Sequence, residues 1–165
     1  MSKFATIKLM AYNDKVAAEK TLSNEVIHFT CGLIVSLAFY FFTKHISLTV
    51  LTFIVSVAVD ADHLLDYFLH LYKTKKKFSV TTFLGGSYFD ARKKIIVMLH
   101  AWEIVFILLV LYLLTQHLLF ISVALGLMTH LLVDQFTNDV QNLSYFFLYR
   151  LANNFKQSAI MKQWV

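Results

Sequence analysis

The sequence predicts an all-α fold, a polytopic membrane bundle of about four transmembrane helices with amphipathic helices at its N- and C-terminal ends. Three observations predict it. The chain is 58% hydrophobic over 165 residues, against about 45–50% in an ordinary soluble domain. It carries sixteen Phe, eight Tyr and no Pro, which suits long helices better than a loop-rich fold. Its apolar residues fall into runs of nearly the roughly 20 residues that a helix needs to cross a bilayer core.

Those runs occupy residues 26–42, 46–72, 95–114 and 118–136. Lys44 and His45 separate the first two, and Gln116 and His117 separate the last two, so each pair reads as a tight antiparallel hairpin. The stretch 104–114 is apolar around its whole circumference, which fits lipid rather than a soluble bundle. Residues 1–165 read as one membrane-embedded domain: an amphipathic arm over 1–23, a four-helix core over 24–140 and an interfacial tail over 141–165. Gly85-Gly86 marks a turn in the central loop. No cleavable leader is evident, since the first apolar run begins only near Val26 and no small-residue cleavage site follows it. Cys31 stands alone and says nothing about redox compartment.

The net charge of +5 is explained by cations flanking the apolar runs, so nucleic acid is not an expected partner. Lys73, Lys75, Lys76, Lys77, Arg92, Lys93 and Lys94 lie in the central loop. Lys3, Lys8, Lys15 and Lys20 lie in the arm, and Arg150, Lys156 and Lys162 in the tail. The two short turns on the other side hold only Lys44. The positive-inside rule then places both termini and the central loop in the cytoplasm.

Ionisable side chains within spans are costly and are functional candidates by default. Glu25 and His28 begin the first span. Asp60, Asp62, His63, Asp66 and His70 occupy the second half of the next. His100 and Glu103 lie early in the third, and His130 and Asp134 late in the fourth. In the expected topology all of them fall in the cytoplasmic half of the bundle. Asp62 and Asp66, like His130 and Asp134, are four apart; Asp60 and His63, like His100 and Glu103, are three apart. Such spacings share a helix face. Imidazole with carboxylate and without thiolate is a ligand set for a divalent metal: zinc, iron or manganese. Gathered carboxylates without a cation would repel one another.

These residues, in this order, resemble the YdjM-like family of membrane-bound, metal-dependent hydrolases of bacterial inner membranes. The resemblance rests on His28, on Asp60-Ala61-Asp62-His63, on His100 with Glu103, and on Gly126-Leu127-Met128-Thr129-His130 followed by Asp134, and it covers roughly residues 25–140. The chain departs from the family pattern in having no Pro beside the Asp-x-Asp-His motif. It also matches only the second His of a His-Arg-Gly-x-x-His-Ser motif. The resemblance implies a multi-pass protein of the bacterial inner membrane and a hydrolytic reaction.

The expected metal ligands are His28, Asp62, His63, His100, His130 and Asp134. The expected catalytic carboxylates are Glu103, as general base, with Asp60 and Asp66. A site near the headgroup layer points to membrane lipid as partner and to a phospholipid or lipid-linked phosphoester as substrate, with Arg92, Lys93 and Lys94 available for its phosphate. The alternative expectation is a proton or metal-ion transporter or channel built on the same cluster.

Overall fold

The structure, a computed structural model, describes the backbone of residues 3–162 and the side chains of residues 15–162. The described chain is all-helical and builds no sheet. Two isolated antiparallel bridges, Lys94 with Lys156 and Val140 with Met161, tie the tail to the core.

Helix α1 runs unbroken over Lys3–Thr43. The sequence offers no Gly or Pro before Gly32, so the expected arm and the first span form one rod. Its N-terminal part packs on the central loop, where the Thr21 hydroxyl donates to the Leu84 carbonyl at 2.9 Å. Lys44 turns the chain in the left-handed region (φ 58°), and α2 follows at Ile46–Ala58. A 3-10 turn at Val59–Asp62 then leads into α3, His63–Thr74. Two short helices fill the central loop: α4 at Val80–Gly85, capped by the Ser79 hydroxyl, and α5 at Ser87–Arg92. Gly86, at φ 70°, supplies the bend expected there. Helix α6 is Trp102–Thr115 and α7 is Leu118–Thr137, joined through Gln116 at φ 55°. The tail carries α8 at Phe147–Ala152 and α9 at Gln157–Ile160.

Three helical stretches are long and apolar enough to cross a bilayer: Lys15–Thr43, Ile46–Thr74 and Leu118–Thr137. The run expected to supply another, residues 95–114, is helical only from Trp102. Its 14 residues rise about 21 Å, short of a hydrocarbon core about 30 Å thick. The reason is local. The backbone N–H groups of Ile96 and Val97 donate to the Asp66 carboxylate at 2.7 and 3.2 Å, and that of Leu99 to Asp62 at 2.7 Å. Carboxylates on the neighbouring element satisfy donors that a helix would otherwise pair internally, so the segment stays non-helical, with Ile95, Val97, His100 and Ala101 buried and Met98 and Leu99 exposed.

Polarity in the bundle is reversed relative to a soluble protein. Ser36, Thr49, Thr52, Ser56, Ser122 and Thr129 are buried between the helices, while Ile34, Phe41, Phe42, Leu113 and Leu114 face outward. Such an apolar exterior fits lipid. Helix α2 packs against both α1 and α7, and α6 against α7. Small residues set the spacing. A Cβ on Gly126 would lie 2.7 Å from the Thr52 carbonyl and 2.8 Å from the Val55 Cβ. Gly126→Ala is therefore expected to force α7 off α2 and to cost about 1–3 kcal/mol, as overpacking does. A melting curve in detergent checks this, and an unchanged transition would refute the close approach.

The tail, expected to lie along the interface, folds back onto the bundle. Val140, Tyr145 and Ile160 are buried there, and the Trp102 N–H donates to the Tyr145 carbonyl at 2.9 Å.

Candidate metal centre

The close packing at Gly126 has a consequence one turn further along α7. His130 is fully buried, and its Nδ1 donates to the Ser56 carbonyl at 2.9 Å. Its Nε2 therefore carries the free lone pair and points at the Nε2 of His100, 3.2 Å away. His100 is fixed in the same way. Its Nδ1 donates to Asp62 at 3.3 Å, which turns its Nε2 toward Asp60 Oδ1 at 3.2 Å and Asp134 Oδ2 at 3.4 Å. A carboxylate or carbonyl behind the distal nitrogen is the usual arrangement of a metal-binding imidazole.

Two more histidines complete the group. His28, on α1, approaches Asp134 Oδ1 at 3.2 Å and stacks on the His130 ring with centroids 4.2 Å apart. His63, at the start of α3, approaches Asp60 Oδ1 at 3.3 Å. The ligand atoms of His28, His130 and Asp134 lie within 4.8 Å of one another, and so do those of Asp60, His63 and His100. Donors held tetrahedrally about 2.0–2.1 Å from one ion lie about 3.3 Å apart. Among Asp60 Oδ1, His100 Nε2, His130 Nε2 and Asp134 Oδ2, the five distances that involve a histidine run from 3.2 to 3.5 Å. These buried His and Asp groups could hold a metal ion.

Of the residues expected from sequence, the structure brings together His28, Asp60, His63, His100, His130 and Asp134. Asp62 lies one step out and orients His100. Asp66 is buried against Arg92, which donates to its side chain and, at 2.8 Å, to its backbone carbonyl. Together they hold the 95–101 segment. Glu103 accepts from the backbone N–H groups of Phe147 and Leu148 at 2.9 and 3.0 Å, so both its oxygens cap α8. His70 packs on Tyr67 with the rings nearly parallel. Arg92, Lys93 and Lys94 line a groove of about 620 Å³ together with Lys156 and Lys162.

Two participants carry more weight than the sequence indicated. Glu25 and Asp60 both line a cavity of about 540 Å³ that opens onto the cluster. Its signal was its position three residues before His28 on one helix face. Arg150 is buried and donates to the carbonyls of Val97 and His100, clamping the segment that carries His100. Nothing local in the tail marks it. Tyr145 and Asp134 share Asn138, whose side-chain amide donates to both, at 3.1 and 2.9 Å. Burial first, and the Asp134 charge second, push the Tyr145 hydroxyl well above its ordinary range, so it stays a neutral neighbour of that carboxylate.

Comparison of the chain with family models, with curated proteins and with solved structures finds no match.

Proposed function

We propose that this chain is a membrane-bound, metal-dependent hydrolase of a phospholipid or another lipid-linked phosphoester. The observation that carries the reading is the convergence of four imidazoles and two carboxylates at a cavity between apolar helices. A bound divalent cation would supply an activated water and polarise the scissile phosphoester. The chain's own groups then have distinct tasks. Asp62 and the Ser56 carbonyl hold His100 and His130 with Nε2 toward the site. Asn138 braces Asp134. Glu25, which lines the cavity together with Asp60, is placed to accept a proton from water.

The basic groove supports a phosphate-bearing substrate. Lys93, Lys94, Lys156 and Lys162 line it, and Met161 borders both it and the cavity. Arg92 lines the groove as well while it pairs with Asp66. We place the groove and both termini on the cytoplasmic face of a bacterial inner membrane, with the non-helical 95–101 segment and α6 together making the fourth crossing. The distribution of lysine and arginine supports the orientation, and the resemblance to the YdjM-like family supports the membrane. A through-going ion path is less well supported. Beyond the cluster, the Thr52 and Ser122 hydroxyls bond each other at 3.0 Å and the Leu48 carbonyl, which makes a closed seam rather than a relay of titratable groups.

The test is hydrolysis of a panel of phospholipids and isoprenoid phosphates by detergent-purified protein, stripped with chelator and then reloaded with zinc, manganese or iron. Activity on at least one phosphoester, lost on stripping and regained on reloading, is expected. Metal-loaded protein inert toward the whole panel would overturn the reading. Replacing Lys93, Lys94 and Lys156 together by Ala should raise KM about tenfold and leave kcat nearly unchanged, since exposed charges each contribute up to about 1 kcal/mol. Steady-state kinetics on mixed micelles checks this.

A further inference from the structure

The two oxygens of Asp134 face different partners. Oδ1 lies 3.2 Å from His28 Nε2, whereas Oδ2 lies 3.4 Å from His100 Nε2 and 3.5 Å from His130 Nε2. Asp60 Oδ1 in turn touches three imidazoles, at 3.3 Å from His63, 3.2 Å from His100 and 3.5 Å from His130. The cluster thus divides into two triads, His28 with His130 and Asp134, and Asp60 with His63 and His100. Each contains two imidazoles and one carboxylate.

One tetrahedral ion does not use this set. Asp60, His100, His130 and Asp134 would fill its four positions and leave His28 and His63 outside, each aimed at a ligand carboxylate. His28 is the more telling of the two. It is buried, and its Nδ1 has no hydrogen-bond partner among the described residues. A buried polar side chain with so little return is costly in a fold unless its other nitrogen has a strong ligand. The carboxylates of Asp60, Asp62 and Asp134, with Glu25 beside them at the cavity, outnumber the one buried guanidinium, Arg150, so the site favours added cations.

We infer that the cluster is a two-metal site, with one divalent cation on each triad and Asp134 bridging the pair through its two oxygens. The inference rests on the metal-dependent reading above and deepens it. With the bridging oxygen counted, the His28 ion has three protein ligands and the Asp60 ion four, so both keep open positions at the five- or six-fold coordination that manganese and iron adopt. Two ions about 3.5–4 Å apart can grip a phosphoester from both sides, one at the attacking oxygen and one at the leaving oxygen. The mixed imidazole and carboxylate set suits manganese, iron or zinc.

The experiment is a manganese titration of the full chain in detergent after chelator treatment, with bound ion counted by elemental analysis and the spin state followed by electron paramagnetic resonance. Two ions per chain are expected, with the isolated-ion signal suppressed by coupling between neighbours. His28→Ala and His63→Ala should each fall to one ion and regain the isolated-ion signal. One ion per wild-type chain would overturn the two-metal inference and leave the hydrolase reading standing. No bound ion at saturating manganese, zinc or iron would overturn both. Two uncoupled ions, unaffected by either substitution, would overturn the assignment to these triads.

Discussion

Asp60→Asn is expected to release bound metal and to abolish hydrolysis. The substitution keeps the shape of the side chain and removes its charge. Asp60 Oδ1 lies within 3.5 Å of three imidazole nitrogens, so a neutral amide there would put either a weaker oxygen or an N–H among them. Asp62→Asn should do less. Asp62 acts through His100 Nδ1, and loss of such an outer partner typically costs about 10–100-fold in metal affinity. Equilibrium dialysis against graded zinc or manganese separates the two variants. Equal losses would mean that Asp62 is itself a ligand, and wild-type affinity in Asp60→Asn would remove Asp60 from the site.

Glu25→Gln should keep its metal and lose turnover by roughly 100- to 10,000-fold, the usual contribution of a positioned general base. Glu103→Gln provides the contrast. Both Glu103 oxygens are committed to the first N–H groups of α8, so the amide weakens a helix cap and costs about 1 kcal/mol of stability. Its turnover should stay near that of the wild type. Single-turnover hydrolysis with metal content measured on the same samples distinguishes the two glutamates. A large rate loss in Glu103→Gln with an unchanged Glu25→Gln would return the base to the residue that the sequence favoured.

Much of the bundle was legible because its signals are local. Apolar runs, the polar breaks at Lys44-His45 and Gln116-His117, and the absence of Pro mark helices and hairpins within a few residues of where they occur. The cluster was legible for a related reason: His and carboxylate pairs at helical spacing stand out against an apolar background. What stayed hidden depends on partners distant in the chain. Residues 95–101 read as helix by hydropathy, yet Asp62 and Asp66 take up their N–H groups. Glu25 and Glu103 both lie within three residues of a His, and only the packing of α8 against Glu103 tells them apart. Asp60 and Asp62 exchanged emphasis because the chain tightens to a 3-10 turn at Val59–Asp62, where the 3.6-residue face rule slips. Arg150 lies 50 residues from the His100 carbonyl it holds, and no spacing rule reaches that far.

The central claim is that this cluster is built to hold metal, and elemental analysis of the detergent-purified full chain tests it most directly. Wild-type protein should carry stoichiometric zinc, manganese or iron, and a His100→Ala, His130→Ala double variant should carry none. Wild-type protein without metal, both as purified and after incubation with each of the three ions, would contradict it.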